Sequence, residues 1–486
     1  MNILNQLSPT LVWQYFEEIC NVPRPSKNEG QIIEYLINFG KQHGLETKQD
    51  KIGNVLIVKK AASGFENRKT VVLQSHIDMV CEKNSDVIHD FLNDPITPVI
   101  NGEWVKAKGT TLGADDGIGM AAQLAILASN DLQHGAVECL FTVDEETGLT
   151  GAFGLEKGFF TGSILINLDS EDEGEIFIGC AGGADTLGQF DCEYEPVPDS
   201  SFAFKVSVSG LKGGHSGDDI NKGLGNANKI LNRFLWTISK EIDFRLAEID
   251  GGNLRNAIAR EAWATGIVPY NKKEEVRTSL NIFISELEQE YKGIEPNLQL
   301  KLESIETPPR VFSESLQKRL LNTIYAMPHG VIAMSSSIPG LVETSTNLAS
   351  VKIKDNKILI GTSQRSSIES SKADIANMVE TVFLLSGAEF SHGDGYPGWA
   401  PNTDSEILHI AVNAYKKLFN AEPEVKAIHA GLECGLFLEK YPALDMISIG
   451  PTIKGAHSPD ERILISTVQK FWEHLIEILV RIPDSV

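Results

Sequence analysis

At 486 residues the chain exceeds what one ordinary hydrophobic core accommodates, so two domains, or one domain with a large insertion, are expected. Asp and Glu number 66 against 43 Lys and Arg, and the net charge of -23 argues against nucleic acid or an anionic membrane as partner while favouring cations. Six scattered cysteines without a C-x-x-C pair argue against a disulfide framework or a thiolate zinc site. With no basic leader and no apolar run long enough to span a bilayer, the cytoplasm is the expected location.

In chain order, Ser26-Lys27-Asn28-Glu29 has the form of a capping box and predicts an amphipathic helix to about Gly40. Strands are predicted at 54–59, 71–74, 137–143 and 163–168; the last three are short apolar runs of the kind found in buried α/β sheets. The Ala- and Leu-rich segment 116–129 between them predicts a helix. From about residue 185 the pattern changes: a period-2 strand at 202–209, a helix at 225–238, a strand-rich stretch at 351–361 and a helix at 371–385 suggest a separate α+β block. The Gly393–Trp399 cluster reads as a return linker. A buried strand at 443–449 and an amphipathic helix at 467–479 follow. Domain bounds of 1–184 and 396–486, with an inserted block at 185–395, are therefore expected.

Polar clusters stand directly after the apolar strands, where open α/β sheets place their ligands. His76 and Asp78 form an H-x-D pair whose side chains share one side of an extended segment, so Asp78 can orient the His76 imidazole. Asp115 and Asp116 open the 116–129 helix; two adjacent carboxylates call for a cation or a helix N-terminus, and an ordinary cap accounts for one of them. Asp144, Glu145 and Glu146 follow strand 137–143, where one acid can ligate a metal and the next serve as a base. Asp169 ends strand 163–168, and Glu171, Asp172 and Glu173 beyond it read as a solvated turn. His457 follows strand 443–449. Two imidazoles and several carboxylates form an N/O ligand set suited to zinc, manganese or cobalt, and two ions would be needed to use them all.

The ordered strings SHIDMV, GADDGIG, DEETGLTGA, LDSEDEGE, GGHSGDDI and GAHSPDERI resemble the cocatalytic dizinc peptidases, a family that includes aminoacylase, glutamate carboxypeptidase, tripeptidase and bacterial dipeptidases. They look most like its bacterial dipeptidases acting on aminoacyl-histidine substrates. The resemblance implies a mixed-sheet α/β catalytic domain of the phosphorylase/hydrolase-like zinc-peptidase type, with the inserted α+β block as a lid. It makes Asp115 the carboxylate bridging two zinc ions, His76 and Asp169 the remaining ligands of one, and Glu146 and His457 those of the other. Manganese or cobalt are substitutes. Glu145 becomes the general base, Asp78 the partner of His76, and the Asp115–Asp116 peptide is expected to be cis. In the lid, His215 is implied as the oxyanion donor, Asn256 and Arg365 as groups holding the substrate carboxylate, and Gly431 as part of the same pocket. A homodimer is left open.

The implied reaction is metal-dependent hydrolysis of dipeptides with a free N-terminus, Xaa-His dipeptides among them, with Glu145 moving the proton. An N-acyl amino acid amidohydrolase would share every metal ligand. A non-catalytic metal- or peptide-binding protein would give Glu145 no reason to exist. Serine or cysteine hydrolysis is disfavoured, because no G-x-S-x-G elbow occurs and no cysteine stands beside a histidine partner.

Overall fold

A computed structural model of the chain describes residues 3–485. Two compact units are present: one comprises the chain up to Cys180, Trp399–Ala427 and the chain from Leu432 onward, the other Ala181–Gly398 and Ile428–Gly431.

The first unit is built on an eight-stranded mixed sheet in the order Glu46–Gln49, Val55–Lys59, Val137–Thr142, Val71–His76, Ile164–Asn167, Asp445–Ser448, Glu175–Cys180, Glu424–Ile428. Its centre is parallel: Val71–His76 pairs in parallel with both Val137–Thr142 and Ile164–Asn167, and Ile164–Asn167 with Asp445–Ser448. Every residue of Val71–His76, Val137–Thr142 and Ile164–Asn167 is buried. Continuous apolar runs are what a sheet covered on both faces requires, and the parallel pairing brings three strand carboxyl ends to one edge. The helix Ala114–Ala128 packs on Val71–His76 and against Thr10–Cys20.

The second unit carries a nine-stranded sheet whose pairings are antiparallel, with Val342–Lys354 and Lys357–Ser366 at its centre. Along Ser201–Ser209, Phe202, Phe204, Val206 and Val208 point into a core shared with Leu231, Phe234, Leu320 and Phe383 from three helices. The alternation is that of a sheet with one face packed on helices.

Two expectations, the capping box and the solvated turn, are corrected. The Ser26–Glu29 capping box does not form: the helix is Gly30–Gln42, the Ser26 hydroxyl donates to Asp78 Oδ2 (2.7 Å), and Glu29 Oε1 accepts the amides of Lys27 and Asp144. A tertiary acceptor thus outcompetes the local cap. The strand-rich stretch 351–361 is the end of a hairpin between Val342–Lys354 and Lys357–Ser366, turning at Asp355 and Asn356 with φ of 51° and 59°. Two consecutive left-handed residues match the twist of the flanking strands, and Asp and Asn tolerate that conformation. Residues 171–173 are half-buried rather than solvated, Glu173 accepting from Tyr415 Oη (2.6 Å) and Lys470 Nζ (3.1 Å). The Gly393–Trp399 segment is bonded strand-like, Tyr396 to Gly183 and Trp399 to Cys180.

Candidate metal centre

The three parallel strands deliver their polar residues to one place. His76 is the last residue of Val71–His76, Glu145 and Glu146 open the short helix Glu145–Gly148 after Val137–Thr142, and Asp169 follows Ile164–Asn167. His457 comes from the loop beyond Ile453–Lys454 at φ 62°, and Asp115 from the mouth of Ala114–Ala128, where its backbone is not helical. His76 Nε2 lies 2.9 Å from Asp115 Oδ1 and 3.5 Å from Asp169 Oδ1. His457 Nε2 lies 3.1 Å from Asp115 Oδ2 and 3.0 Å from Glu146 Oε2. Asp115 therefore faces a different imidazole with each oxygen. It belongs to two sets, His76/Asp115/Asp169 and Asp115/Glu146/His457, whose ligand atoms lie within 4.8 Å of one another in each set. Glu145 falls in a third such set with His76 and Glu146.

The adjacent acids divide the two roles that their position offers. Asp116 turns away, its Oδ1 accepting the Gly119 amide at 3.1 Å, which is the helix-capping job. The Asp115–Asp116 peptide is cis.

Three carboxylates in so small a space repel one another unless protons, carried here by the two imidazoles, or cations intervene. Burial drives the Asp115 carboxyl up, but hydrogen bonds from His457 and His76 overcome it and hold the group below the ordinary carboxylate range. Burial, with the charge of Asp115, raises Asp169 to about 7 against the pull of His76. Hydrogen bonds to Asp115 and Glu146 hold His457 up at about 11. Burial raises Glu145 well above its usual value, reinforced by Asp169, Glu433 and Glu146. Glu146 Oε1 is buried without a hydrogen-bond partner. A hard-to-intermediate divalent cation fits this set, since it needs N and O donors, no thiolate, and carboxylate oxygens free to point at it.

Asp78 holds the arrangement from behind. It is fully buried, its oxygens accept the amides of Glu145 (3.0 Å) and Glu146 (3.3 Å) and the Ser26 hydroxyl, and Oδ1 faces His76 Nδ1 at 3.4 Å, an ion-pair distance without the alignment of a hydrogen bond. One carboxylate thus ties a candidate ligand to the loop of the candidate base. Sequence reasoning missed Ser26, Arg24, Glu433 and Glu461. Ser26 was visible only as a cap, and Glu433, which accepts from Gln74 Nε2 (2.6 Å) and Thr142 Oγ1 (2.8 Å), stood beside Gly431 without a strand to mark it.

The lid candidates gather within the second unit. Arg365 is only 7% exposed; its Nη1 donates to Tyr396 Oη (2.8 Å) and its Nε to Ser216 Oγ (3.4 Å). Ser216 N donates to Asn256 O (2.8 Å), and His215 bridges to Ala257. A Cβ at Gly431 would lie 2.7 Å from the Tyr396 ring, so this position is restricted to glycine by the same tyrosine that Arg365 holds. His429, buried beside them, places Nε2 2.7 Å from Ser345 Oγ. Burial, with the charge of Arg365, lowers it to about 4 and keeps the ring neutral.

Residues 72–481 match the model for peptidase family M20/M25/M40. The chain is 47% identical to the cytosol non-specific dipeptidase of Escherichia coli (strain K12), over 99% of this chain and 100% of that protein. The crystal structure of aminoacylhistidine dipeptidase from Vibrio alginolyticus superposes with a TM-score of 0.93 at 46% identity, covering 99% of both chains. The aminopeptidase PepT from Bacillus cereus ATCC 10987 shares the fold, with a TM-score of 0.60 at 17% identity over 98% of this chain and 99% of that one.

Proposed function

The chain belongs to peptidase family M20/M25/M40, and on that premise we propose that it is a metal-dependent dipeptidase acting on small peptides with a free N-terminus, Xaa-His dipeptides included. The observation that carries the reading is Asp115, whose two oxygens face two imidazoles in two separate ligand sets. His76 and Asp169 would hold one zinc ion, Glu146 and His457 the other, with Asp115 between them; manganese or cobalt suits the same donors. Such an ion pair supplies an acidified water and a Lewis acid for the scissile carbonyl.

Glu145 takes the proton of the attacking water at its carboxylate and passes it to the leaving amine nitrogen. A carboxyl whose burial keeps its proton affinity high suits both halves of that transfer. Asp78, by accepting the Glu145 and Glu146 amides, fixes where that carboxylate stands. On the second unit, whose segment 185–395 we read as a lid domain inserted between catalytic parts 1–184 and 396–486, His215 donates to the oxyanion that develops on the carbonyl. Arg365 and Asn256, beside Gly431, hold the substrate carboxylate. Arg365 is suited to this because its guanidinium is already oriented by Tyr396 and Ser216. No described helix is long and apolar enough to cross a membrane, and a cytoplasmic location accords with peptide turnover.

The test is a substrate panel on chelated and zinc-, manganese- or cobalt-reloaded protein. Hydrolysis of free dipeptides that chelation abolishes and metal restores is expected, with N-acetylated analogues refused. Preference for the acetylated analogues would instead identify an N-acyl amino acid amidohydrolase, and metal binding without any hydrolysis would defeat the enzymatic reading.

A further inference from the structure

The segment that carries Asp115 into the cluster runs through Leu112, Gly113 and Ala114, all buried, and lies outside the sheets. Its consecutive amides need acceptors, because a buried N–H without a partner is costly. One side chain supplies them. Glu461 Oε2 accepts the amides of Leu112 (2.7 Å) and Gly113 (2.9 Å), and its Oε1 those of Ala114 (2.7 Å) and Asp115 (3.3 Å). Glu461 is 2% exposed.

The carbonyls are met from the other polarity by Arg24. Its Nη1 donates to the carbonyls of Ile77 (3.0 Å) and Asp78 (2.6 Å), and its Nη2 to that of Gly113. Gly113 has φ 69°, and a Cβ there would lie 2.5 Å from Arg24 Nη2 and 2.9 Å from Met79 Sδ. The backbone before Asp115 is therefore gripped between a carboxylate and a guanidinium. Glu461 also stands on the loop that presents His457, so one loop both brings an imidazole to Asp115 Oδ2 and holds the backbone from which Asp115 projects.

We propose that Glu461, with Arg24 opposite it, is a positioning residue for the two-metal centre: it sets the Asp115 carboxylate between His76 and His457 and so couples the two ligand sets. The proposal rests on the two-metal reading given above. An amide in place of the carboxylate has one acceptor oxygen instead of two, so buried N–H groups of this segment lose their partner and the Asp115 backbone is no longer fixed.

The experiment measures zinc content and stepwise zinc affinity by chelator competition, together with kcat, KM and the thermal midpoint, for the wild-type protein, Glu461→Gln and Glu138→Gln. Glu138 is a matched control: the residue is 4% exposed and its carboxylate accepts the amides of Thr161 and Gly162 (both 2.8 Å) and the Thr161 hydroxyl (2.9 Å), but it lies at the start of strand Val137–Thr142, at the opposite end from Glu145 and Glu146. Glu461→Gln is expected to bind at least one zinc ion about tenfold or more weakly and to lose kcat with little change in KM. Glu138→Gln is expected to lower the thermal midpoint and leave zinc affinity unchanged. Wild-type zinc affinity in Glu461→Gln overturns the proposal, whatever its thermal midpoint. A wild-type protein that binds fewer than two zinc ions overturns the two-metal reading instead. Should Glu461→Gln not fold, Arg24→Lys keeps the charge and removes the fork; about tenfold weaker zinc binding supports the clamp, and unchanged affinity overturns it.

Discussion

The two units hold their functional side chains by different means. In the first, three of the five candidate ligands lie at or just beyond the ends of parallel strands of one sheet: His76 closes Val71–His76, Glu146 follows Val137–Thr142 and Asp169 follows Ile164–Asn167. In the second, the polar cluster is assembled across antiparallel strands and loops far apart in sequence: Ser345 pairs with Arg365, Arg365 with Gly183, and Ser216 with the Asn256 backbone. The first arrangement ties charge to the carboxyl edge of a buried parallel sheet, where rigid strands fix separations of a few ångströms. The second places donors on a sheet face whose other side is its own hydrophobic core. Ion chemistry and substrate grip should therefore fail separately.

Four substitutions can break that separation, the largest effect coming first. Glu145→Gln is expected to lower kcat by about 10³-fold or more while metal analysis still finds two ions, because in the proposed reaction it removes the proton carrier and no ligand. Lost metal, or retained turnover, would show that the base lies elsewhere. Asp78→Asn should weaken metal binding and activity by about 10–100-fold, since the carboxylate that faces His76 also anchors the Glu145 and Glu146 amides. Chelator titration with parallel kinetics reads both losses, and they should move together. Arg365→Lys should raise KM by about tenfold with zinc affinity unchanged, because an ammonium cannot reproduce the fork held by Tyr396 and Ser216. A change in zinc affinity there would join what the comparison keeps apart. Phe234→Ala, in the core of the second unit, should cost about 3–5 kcal/mol of that unit's stability in denaturant melts and leave zinc binding as in the wild type.

Much of the first unit was legible because its signals are local. Short apolar runs marked the central strands, and the acids and histidines directly after them marked the site; the strand bounds moved by one or two residues. Asp115 and Asp116 could not be told apart by position alone. Tertiary structure separates them, the two Asp115 oxygens meeting two imidazoles and Asp116 Oδ1 capping the helix. Within the strand-rich stretch 351–361, the turn at Asp355 and Asn356 divides two strands of one hairpin. Ser26 carried a capping-box pattern that was real in sequence, yet its hydroxyl donates to Asp78 and accepts no cap amide. Arg24 carried no pattern, and Glu461, although inside GAHSPDERI, had nothing beside it to mark its partners. The importance of each comes from buried backbone groups of a distant segment.

The sequence by itself determined the buried strands, the residue types at their ends and the N/O character of the candidate centre. These follow from hydrophobic periodicity and from chemistry that neighbouring residues carry together. Only the tertiary structure decided which acid faces both imidazoles, which charges hold the backbone behind it, and which polar residues of the second unit meet. Those outcomes depend on satisfying buried polar groups across as many as 349 positions of chain, and no local pattern encodes such a partner.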